Sequence, residues 1–203
     1  MKLYITYTSP YARIARIVVL EKGLEGRVEL VVARTRTAES WYYAINPSGR
    51  VPYLVRDDGV CLEDSPLICS YLDNLDGEAI YGLPSGEEAW EARQLEAMAR
   101  SMLDGLAVWG RELHRPVNER SPTILEHESA RSQRMANWWE QAIGQPHMLG
   151  RLNMAQITLI SGLQLELRNP EFNWRQGRPG LSAWADRIAK LPSVAATMPS
   201  ELY

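Results

Sequence analysis

The spacing of hydrophobic residues divides this chain into two parts with different periods. Up to residue 75, short runs rich in β-branched and aromatic residues alternate with segments of helical spacing. This part predicts the order β-α-β-α-β-β-α, a small mixed sheet with helices on its faces. The predicted strands are 3–7, 28–32, 53–55 and 60–62, and the predicted helices are 10–24, 38–45 and 65–75.

After residue 86 the strand signals stop and long helical periods follow. Gly77, Gly82, Pro84 and Gly86 interrupt the pattern between the two parts, which is typical of a linker. The sequence therefore predicts an α/β domain at 1–77, a linker at 78–86 and an all-helical (all-α) domain at 87–203. Helices are predicted at 87–113, 122–143, 157–167, 179–190 and 192–197, with caps at Ser85 and Glu88, at Ser121, and at Asn153 and Gln156.

The turn from the first strand into the first helix carries a specific local signal. Ser9 can cap free backbone N–H groups, and Pro10 suits the first helical position because its missing N–H is not needed there. A strand that turns directly into a capped helix directs a hydroxyl and a helix N-terminus at the same point. This arrangement favours a bound anion or thiolate near residues 7–13.

Composition and charge exclude several classes of function. The net charge of −3 over 203 residues provides no basic field for nucleic acid or an anionic membrane. We find no leading apolar segment with a cleavage site and no run that could span a bilayer, so we expect a cytoplasmic protein. Cys61 and Cys69 lack the spacing of a zinc site and the three histidines are scattered. We therefore expect buried cysteines, surface histidines and no metal.

Two further positions allow both a structural and a functional interpretation. Val51-Pro52 can be a proline at a strand edge, or a cis bond that turns the Val51 N–H and C=O towards an extended ligand. Asp64-Ser65 can be a simple helix cap. It can also bind an α-amino acid end, since the helix N-terminus and the hydroxyl suit a carboxylate and Asp64 suits an ammonium group.

Together these segments resemble a glutathione transferase over essentially the whole chain. The resemblance rests on residues 9–12 at the first helix, residues 46–52, and Glu63-Asp64-Ser65 before the next helix. Within the family, the chain is most similar to bacterial members with a Ser-Pro-Phe or Ser-Pro-Tyr segment. The resemblance implies a thioredoxin-like N-terminal domain (βαβαββα), an all-helical C-terminal domain, and glutathione as a co-substrate with no tightly bound cofactor.

The resemblance also assigns roles to individual residues. It implies that the Val51 backbone pairs with the cysteinyl part of glutathione across cis-Pro52, and that Arg50 lies near the glycyl end. Asp64-Ser65 would hold the γ-glutamyl end. Ser9 stands where redox relatives have a catalytic cysteine, so we expect its hydroxyl to stabilise the glutathione thiolate rather than exchange disulfides.

Simple magnitudes favour a hydroxyl as the main support of the thiolate. A thiol with a pKa of about 8.5 is only a few per cent ionised at pH 7, and lowering that pKa by about two units requires roughly 2.7 kcal/mol. An exposed helix N-terminus supplies about 0.3 to 1 kcal/mol, and a hydrogen bond to a charged group about 1.5 to 3 kcal/mol. Ser9 is the expected donor. Tyr7 and Thr8 are rivals, because some classes of the family use a tyrosine at the end of the first strand.

The implied mechanism is attack of the thiolate on a small hydrophobic electrophile. Tyr11 and Trp109 are the predicted wall of the second-substrate pocket, whereas Met102 and Leu106 suit the domain core better. The leading hypothesis is an enzyme that conjugates glutathione in detoxification. The alternatives are a glutathione-dependent peroxidase or thiol-disulfide reductase, and a non-catalytic binding or interaction module. The family resemblance further implies a homodimer.

Overall fold

The structure of the protein is a computed structural model that describes residues 1–81 and 86–199, with only the backbone of Glu88. The chain divides into two compact units, the first spanning Met1–Gly82 and the second Leu83–Pro199. The domain limits given above, with the linker at 78–86, stay a prediction.

The first unit contains four strands: β1 (Lys2–Ile5), β2 (Glu29–Val32), β3 (Tyr53–Val55) and β4 (Cys61–Glu63). They form one mixed sheet in the order β2-β1-β3-β4. β1 pairs in parallel with β2, whereas β3 is antiparallel to both β1 and β4. Successive side chains of a strand point to opposite faces, and Leu3 and Ile5 of β1 are fully buried on one face.

Two α-helices complete the first unit, α1 (Pro10–Glu21) and α2 (Ser65–Asp73). The two helices contact each other. Ile14 and Ile17 of α1 and Ile68 and Leu72 of α2 are fully buried, at the helical spacing that the sequence predicts. This burial fixes the N-termini of both helices relative to the sheet.

The helix predicted at 38–45 is a single turn of 3-10 helix at Trp41–Ala44. Ser40 caps the turn, since its side chain accepts a hydrogen bond from the Tyr42 amide. The turn is short because the following Asn46 precedes Pro47, and a residue before proline disfavours helical backbone angles. Tyr42 nevertheless anchors the turn, because its side chain is fully buried in a cluster with Tyr4, Ala33 and Tyr53 on the other face of the sheet.

Helices are the regular secondary structure of the second unit in its described residues, and turns and loops connect them. Its helices are α3 (Glu88–Leu113), α4 (Pro122–Ala142), α5 (Pro146–Leu149), α6 (Met154–Leu163), α7 (Pro179–Ile188) and α8 (Pro192–Ala196), with 3-10 turns at Val117–Glu119 and Gln164–Leu167. Every residue of α6 is buried, so this helix forms the centre of the unit and packs on α3. Gly162 permits the close approach, since a Cβ there would lie 3.2 Å from the Leu103 Cα.

The predicted fold class is confirmed: a thioredoxin-like first unit is followed by a helical second unit. Three of the predicted caps are confirmed. Ser9 and Ser121 accept hydrogen bonds from backbone amides three residues later, and Asn153 with Gln156 forms a reciprocal capping box. Ser85 lies outside the described residues, and α3 begins after Glu87, whose side chain makes no capping hydrogen bond.

Two local predictions are wrong. The first strand ends at Ile5, because residues 7 and 8 belong to the turn into α1. Cys61 is exposed rather than buried, since β4 is an edge strand, whereas Cys69 is buried in α2. Of the two interpretations of Asp64-Ser65, the cap is formed by position alone, because Asp64 occupies the N-cap position of α2 but makes no side-chain capping hydrogen bond.

Within residues 1–81 and 86–199, no helix combines the length and apolar character that crossing a lipid bilayer would need.

Candidate functional site

One end of the sheet in the first unit collects the predicted site segments. β1 and β2 are parallel and finish side by side, with Ile5 opposite Val32. β3 begins and β4 finishes at the same end, because each strand runs antiparallel to the one before it in the order β1-β3-β4. Residues 33–35, 6–9, 51–52 and 64–65 therefore meet at this end of the sheet, in that spatial order.

Ser9 lies at the N-terminus of α1 with its hydroxyl in the capping position. The Ala12 amide donates to the Ser9 Oγ at 3.2 Å, and the Ser9 amide donates to the Thr6 carbonyl at 3.2 Å. The first turn of α1 contains no acidic residue that would neutralise the positive end of the helix dipole. A hydroxyl that accepts a hydrogen bond still has its own proton to donate, so this site can support an anion.

The two rival donors occupy the turn before Ser9. The Thr8 hydroxyl donates to the Thr6 hydroxyl at 3.5 Å, a long hydrogen bond. Tyr7 is half-buried, and the guanidinium of Arg16 lies 4.8 Å from the centre of its ring. Both rivals therefore lie within two residues of Ser9, and the choice among the three stays a prediction.

The loop before β3 is held by side-chain hydrogen bonds to its backbone. The Arg50 carbonyl accepts from the Tyr42 hydroxyl at 2.5 Å and from the Asn46 side-chain amide at 3.0 Å. The Ser48 hydroxyl accepts from the Arg50 amide at 3.2 Å and donates to Glu63 at 2.7 Å. Burial raises the pKa of Tyr42 to about 12, so its hydroxyl remains protonated as a donor. The backbone before Val51 is thereby fixed.

Val51 itself has free backbone groups at this point. The Val51-Pro52 peptide bond is cis, one of the two conformations that the sequence allowed. No hydrogen bond within the described chain uses the Val51 N–H or C=O. The Val51 side chain packs against the buried cluster around Tyr42 and Tyr53. An extended ligand can therefore pair with a backbone position that the fold itself holds in place.

Asp64 and Ser65 precede α2 in an unusual backbone conformation. Asp64 has a φ of 80°, in the region that favours glycine, and its exposed carboxylate forms no ion pair with a described residue. The Ser65 side chain is only 1% exposed, and its Oγ has no hydrogen-bond partner in the described chain. An unpaired buried hydroxyl costs about 1 to 3 kcal/mol, so the Ser65 hydroxyl can gain free energy by donating to an acceptor.

The remaining predicted site residues belong to different units. Arg50 is exposed, and its guanidinium forms no ion pair within the described chain. Tyr11 is half-buried in the first turn of α1. Trp109 is 5% exposed on α3, and its ring lies 4.6 Å from that of Phe172. The wall that Tyr11 and Trp109 were expected to share stays a prediction.

Two buried arginines on α1 were not assigned a role from the sequence. Arg13 is 1% exposed, and burial, with a smaller contribution from the charge of Arg16, lowers its pKa to about 9. Burial also lowers the pKa of Arg16, opposed by the neighbouring Tyr7. With a pKa of about 9, Arg13 is cationic at neutral pH and adds positive potential near the N-terminal half of α1. The sequence does offer one sign of these buried arginines, because two charged residues stand among the apolar residues Ile14, Ala15 and Ile17 of the predicted helix.

No group of His, Cys, Asp or Glu side chains suited to a metal ion occurs among the residues that the structure describes. The candidate site consists of hydroxyls, helix N-termini, arginines and backbone groups that have no partner in the described chain.

Comparison with known proteins identifies relatives of this chain by sequence and by fold. Residues 8–75 match the family description "Glutathione S-transferase, N-terminal domain". Over 202 residues the chain is 30% identical to a protein of Escherichia coli strain K12 named "Uncharacterized GST-like protein YibF", covering 98% of both chains.

Two of the solved structures that are similar to this chain match it over almost its whole length. A glutathione transferase family member from Pseudomonas fluorescens Pf-5, with bound S-(propanoic acid)-glutathione, has a TM-score of 0.86 at 28% identity and covers 98% of this chain and 100% of its own. A glutathione S-transferase from Methylobacillus flagellatus KT, with bound glutathione, has a TM-score of 0.86 at 29% identity, with 98% and 99% covered. The relative from Escherichia coli, matched over 98% of both chains, and the two structures, matched over 98% of this chain, show that this chain belongs to the glutathione S-transferase family.

Proposed function

We propose that the protein is a glutathione transferase that binds glutathione at the end of the sheet and activates its thiol for attack on a small hydrophobic electrophile. The observation that carries the proposal is the buried hydroxyl of Ser65 at the N-terminus of α2, which has no hydrogen-bond partner among the described residues. It lies at the same end of the sheet as the free backbone of Val51 and the capped helix at Ser9.

Glutathione would be held along its length by three groups. The Val51 N–H and C=O pair with its cysteinyl residue, as an added strand would. The γ-glutamyl carboxylate accepts hydrogen bonds from Ser65 and from free amides of α2, and its ammonium group faces the carboxylate of Asp64. Antiparallel pairing at Val51 then directs the glycyl end towards Arg50, whose guanidinium is exposed and forms no ion pair within the described chain.

The thiolate would be stabilised by Ser9 and by the N-terminus of α1. The Ser9 hydroxyl donates its proton to the sulfur while it accepts from Ala12, so one side chain both caps the helix and supports the anion. The buried charge of Arg13 adds to the positive potential in this part of α1. Attack on the electrophile then needs positioning of the two reactants, with no covalent intermediate on the protein.

Relatives support glutathione as the co-substrate, because similar structures contain glutathione or one of its conjugates. Tyr11 and Trp109 remain the proposed wall for the second substrate.

We also propose that the protein forms a homodimer and is located in the cytoplasm. Sedimentation at low protein concentration would test the dimer, and a monomer there would overturn it.

The test of the function combines retention and turnover. The protein is passed over immobilised glutathione, eluted with free glutathione, and then assayed with a chlorodinitrobenzene and with an organic hydroperoxide. Retention with conjugation of the aryl halide would support the proposal. Retention without turnover of either electrophile would favour a non-catalytic binding module, and reduction of the hydroperoxide alone would favour a peroxidase. Failure to be retained would overturn glutathione binding itself.

A further inference from the structure

The first unit contains a cavity of about 250 Å³ where β1 and β2 finish. Residues 6–8 line it on the β1 side, and residues 32–35 line it on the β2 side. Ligands of open α/β sheets bind outside the carboxyl ends of parallel strands, and β1 and β2 are the parallel pair of this sheet. The cavity is smaller than a typical ligand site of about 300 to 1,000 Å³, so it suits one part of a ligand.

The lining of this cavity is suited to an anion. Arg34 is the one charged residue among the described residues that line it, and its guanidinium forms no ion pair within the described chain. The Ser40 hydroxyl donates to the Arg34 carbonyl, which fixes the backbone there. On the facing side, the Thr6 hydroxyl accepts from Thr8 and keeps its own proton for another acceptor.

The cavity lies next to Ser9, where the sulfur is proposed to bind, and away from the subsites proposed for the peptide of glutathione at Val51 and Ser65. Thr8 lines the cavity and directly precedes Ser9, so their Cα atoms are about 3.8 Å apart. Val51 and Ser65 lie on the other side of β1, towards β3 and β4. A group bonded to a sulfur at Ser9 can therefore extend towards β2 and into the cavity, while the peptide extends towards β4.

We infer that the cavity holds the acid group of the second substrate through Arg34, so that the preferred electrophiles are small apolar molecules that carry a carboxylate. This inference rests on the proposed function. A chloronitrobenzoate represents the class. The thiolate sulfur bonds to the ring carbon that bears chlorine, the carbon–chlorine bond breaks, and chloride leaves with the bonding electron pair. The thiol proton has passed to solvent, and the reaction needs no oxidant or reductant.

A pair of matched conjugates tests the inference without requiring turnover. S-carboxyethyl-glutathione and S-carbamoylethyl-glutathione have nearly the same shape and differ in one negative charge. Calorimetric titration of the wild type with both, and with glutathione, is compared with the variants Arg34→Gln and Arg36→Gln. Arg36 is the control because it lies in the same loop and does not line the cavity. We expect the wild type to bind S-carboxyethyl-glutathione about tenfold more tightly than S-carbamoylethyl-glutathione. The expected factor is moderate because the ion pair between the carboxylate and Arg34 is partly exposed to water.

Arg34→Gln should abolish this preference, and Arg36→Gln should keep it. Equal binding of the two conjugates by the wild type would overturn the inference and leave the proposed function standing. A loss in Arg34→Gln that is equal for both conjugates and for glutathione would also overturn it, because Arg34 would then hold the glycyl carboxylate. If the wild type binds none of the three ligands, the proposed function fails together with the inference.

Discussion

The Ala12 amide donates to the Ser9 hydroxyl oxygen at 3.2 Å, in a helix whose first residue is Pro10. Ser9 thus acts as an acceptor towards its own helix, and its proton is left for a ligand. One side chain therefore has two separable effects, on the stability of α1 and on the ionisation of a thiol placed at its N-terminus.

Replacing Ser9 by alanine should raise the pKa of the bound glutathione thiol by about one to two units, because a hydrogen bond to a charged group is worth about 1.5 to 3 kcal/mol. At pH 7 the ionised fraction of a thiol whose pKa rises from about 6.5 by one to two units falls by about threefold to about twenty-five-fold, so turnover should fall by the same factor, with little change in the KM for glutathione. Thiolate absorbance, followed in a pH titration of the complex, measures the pKa directly. An unchanged pKa in Ser9→Ala, with a raised pKa in Tyr7→Phe or Thr8→Val, would move the donor role to that residue.

Ser121→Ala is the matched control for the loss of the helix cap. Ser121 precedes Pro122 and accepts from the Ile124 amide at 3.4 Å, so it has the same capping role in the second unit. Both alanine variants should lose about 1 kcal/mol of unfolding free energy in urea denaturation. Only Ser9→Ala should change the thiol pKa. An equal change in both variants would mean that the pKa reports global stability instead of the hydroxyl.

The Ser65→Ala variant should change stability and binding in opposite directions. The Ser65 hydroxyl is buried without a partner in the described chain, so its removal should leave the free protein equally stable or up to about 1 kcal/mol more stable. Glutathione affinity should fall about tenfold, because the ligand's carboxylate loses a donor. Urea denaturation and calorimetry measure the two effects.

Ser132→Ala provides the comparison for Ser65. The Ser132 hydroxyl is also buried without a partner in the described chain, but it lies on α4 in the second unit. This variant should show the same change in stability and no change in glutathione affinity. A loss of stability in Ser65→Ala, or an unchanged affinity, would contradict the role of Ser65 as a ligand donor.

Local chemistry explains what the sequence could predict of this fold. Ser9-Pro10 and Ser121-Pro122 specify helix starts through neighbours in sequence, and the structure forms both caps. Cys61 was wrongly expected to be buried, because its exposure depends on β4 being an edge strand, which is a property of the sheet order.

The same distinction applies to the candidate site. The cis bond at Val51-Pro52 was one of two alternatives from sequence, whereas the free backbone of Val51 required knowledge of its hydrogen-bond partners. Asp64 resembled a cap, but its left-handed backbone conformation leaves the carboxylate without a capping bond. Arg34 was not recognised, because the cavity it lines forms only when β2 pairs with β1.

The Tyr42 hydroxyl should make stability depend on pH in the alkaline range. An unfolded tyrosine has a pKa of about 10, whereas burial raises the pKa of Tyr42 in the folded protein to about 12. Between these values the unfolded state has lost the proton that the folded state retains, so the free energy of unfolding falls as pH rises. The contribution of the Tyr42 hydroxyl to the free energy of unfolding is therefore complete below about pH 10 and is lost as the pH approaches about 12.

The Tyr42→Phe variant isolates this contribution. At pH 8 it should be about 1 kcal/mol less stable than the wild type, because the hydrogen bond to the Arg50 carbonyl is lost. The difference in unfolding free energy between wild type and variant should shrink between pH 10 and the highest pH at which both fold. Urea denaturation at several pH values measures it, and a difference independent of pH would show that Tyr42 does not titrate as described.

Gly49 should be the more sensitive of two glycines that share a left-handed backbone conformation. Gly49 has a φ of 66°, and a Cβ there would lie 2.7 Å from the Tyr43 ring. Gly59 has a φ of 83° in the β3–β4 turn, with no atom within 4 Å of such a Cβ. Gly59→Ala should therefore lower the free energy of unfolding by only about 1 kcal/mol, which is the cost of placing a residue with a Cβ in the left-handed backbone conformation. Gly49→Ala should cost about 2 kcal/mol, since the ring must move and weaken its hydrogen bond from the Thr37 amide.

The two variants should also differ in ligand binding. Gly49 belongs to the hydrogen-bonded loop that fixes the backbone before Val51, whereas Gly59 lies at the opposite end of β3. Glutathione affinity should fall several-fold in Gly49→Ala and stay within experimental error in Gly59→Ala, at temperatures where both variants are fully folded. Equal affinities in the two variants would show that the loop tolerates displacement of Tyr43, and that the geometry of Val51 is set by the buried cluster around Tyr42 alone.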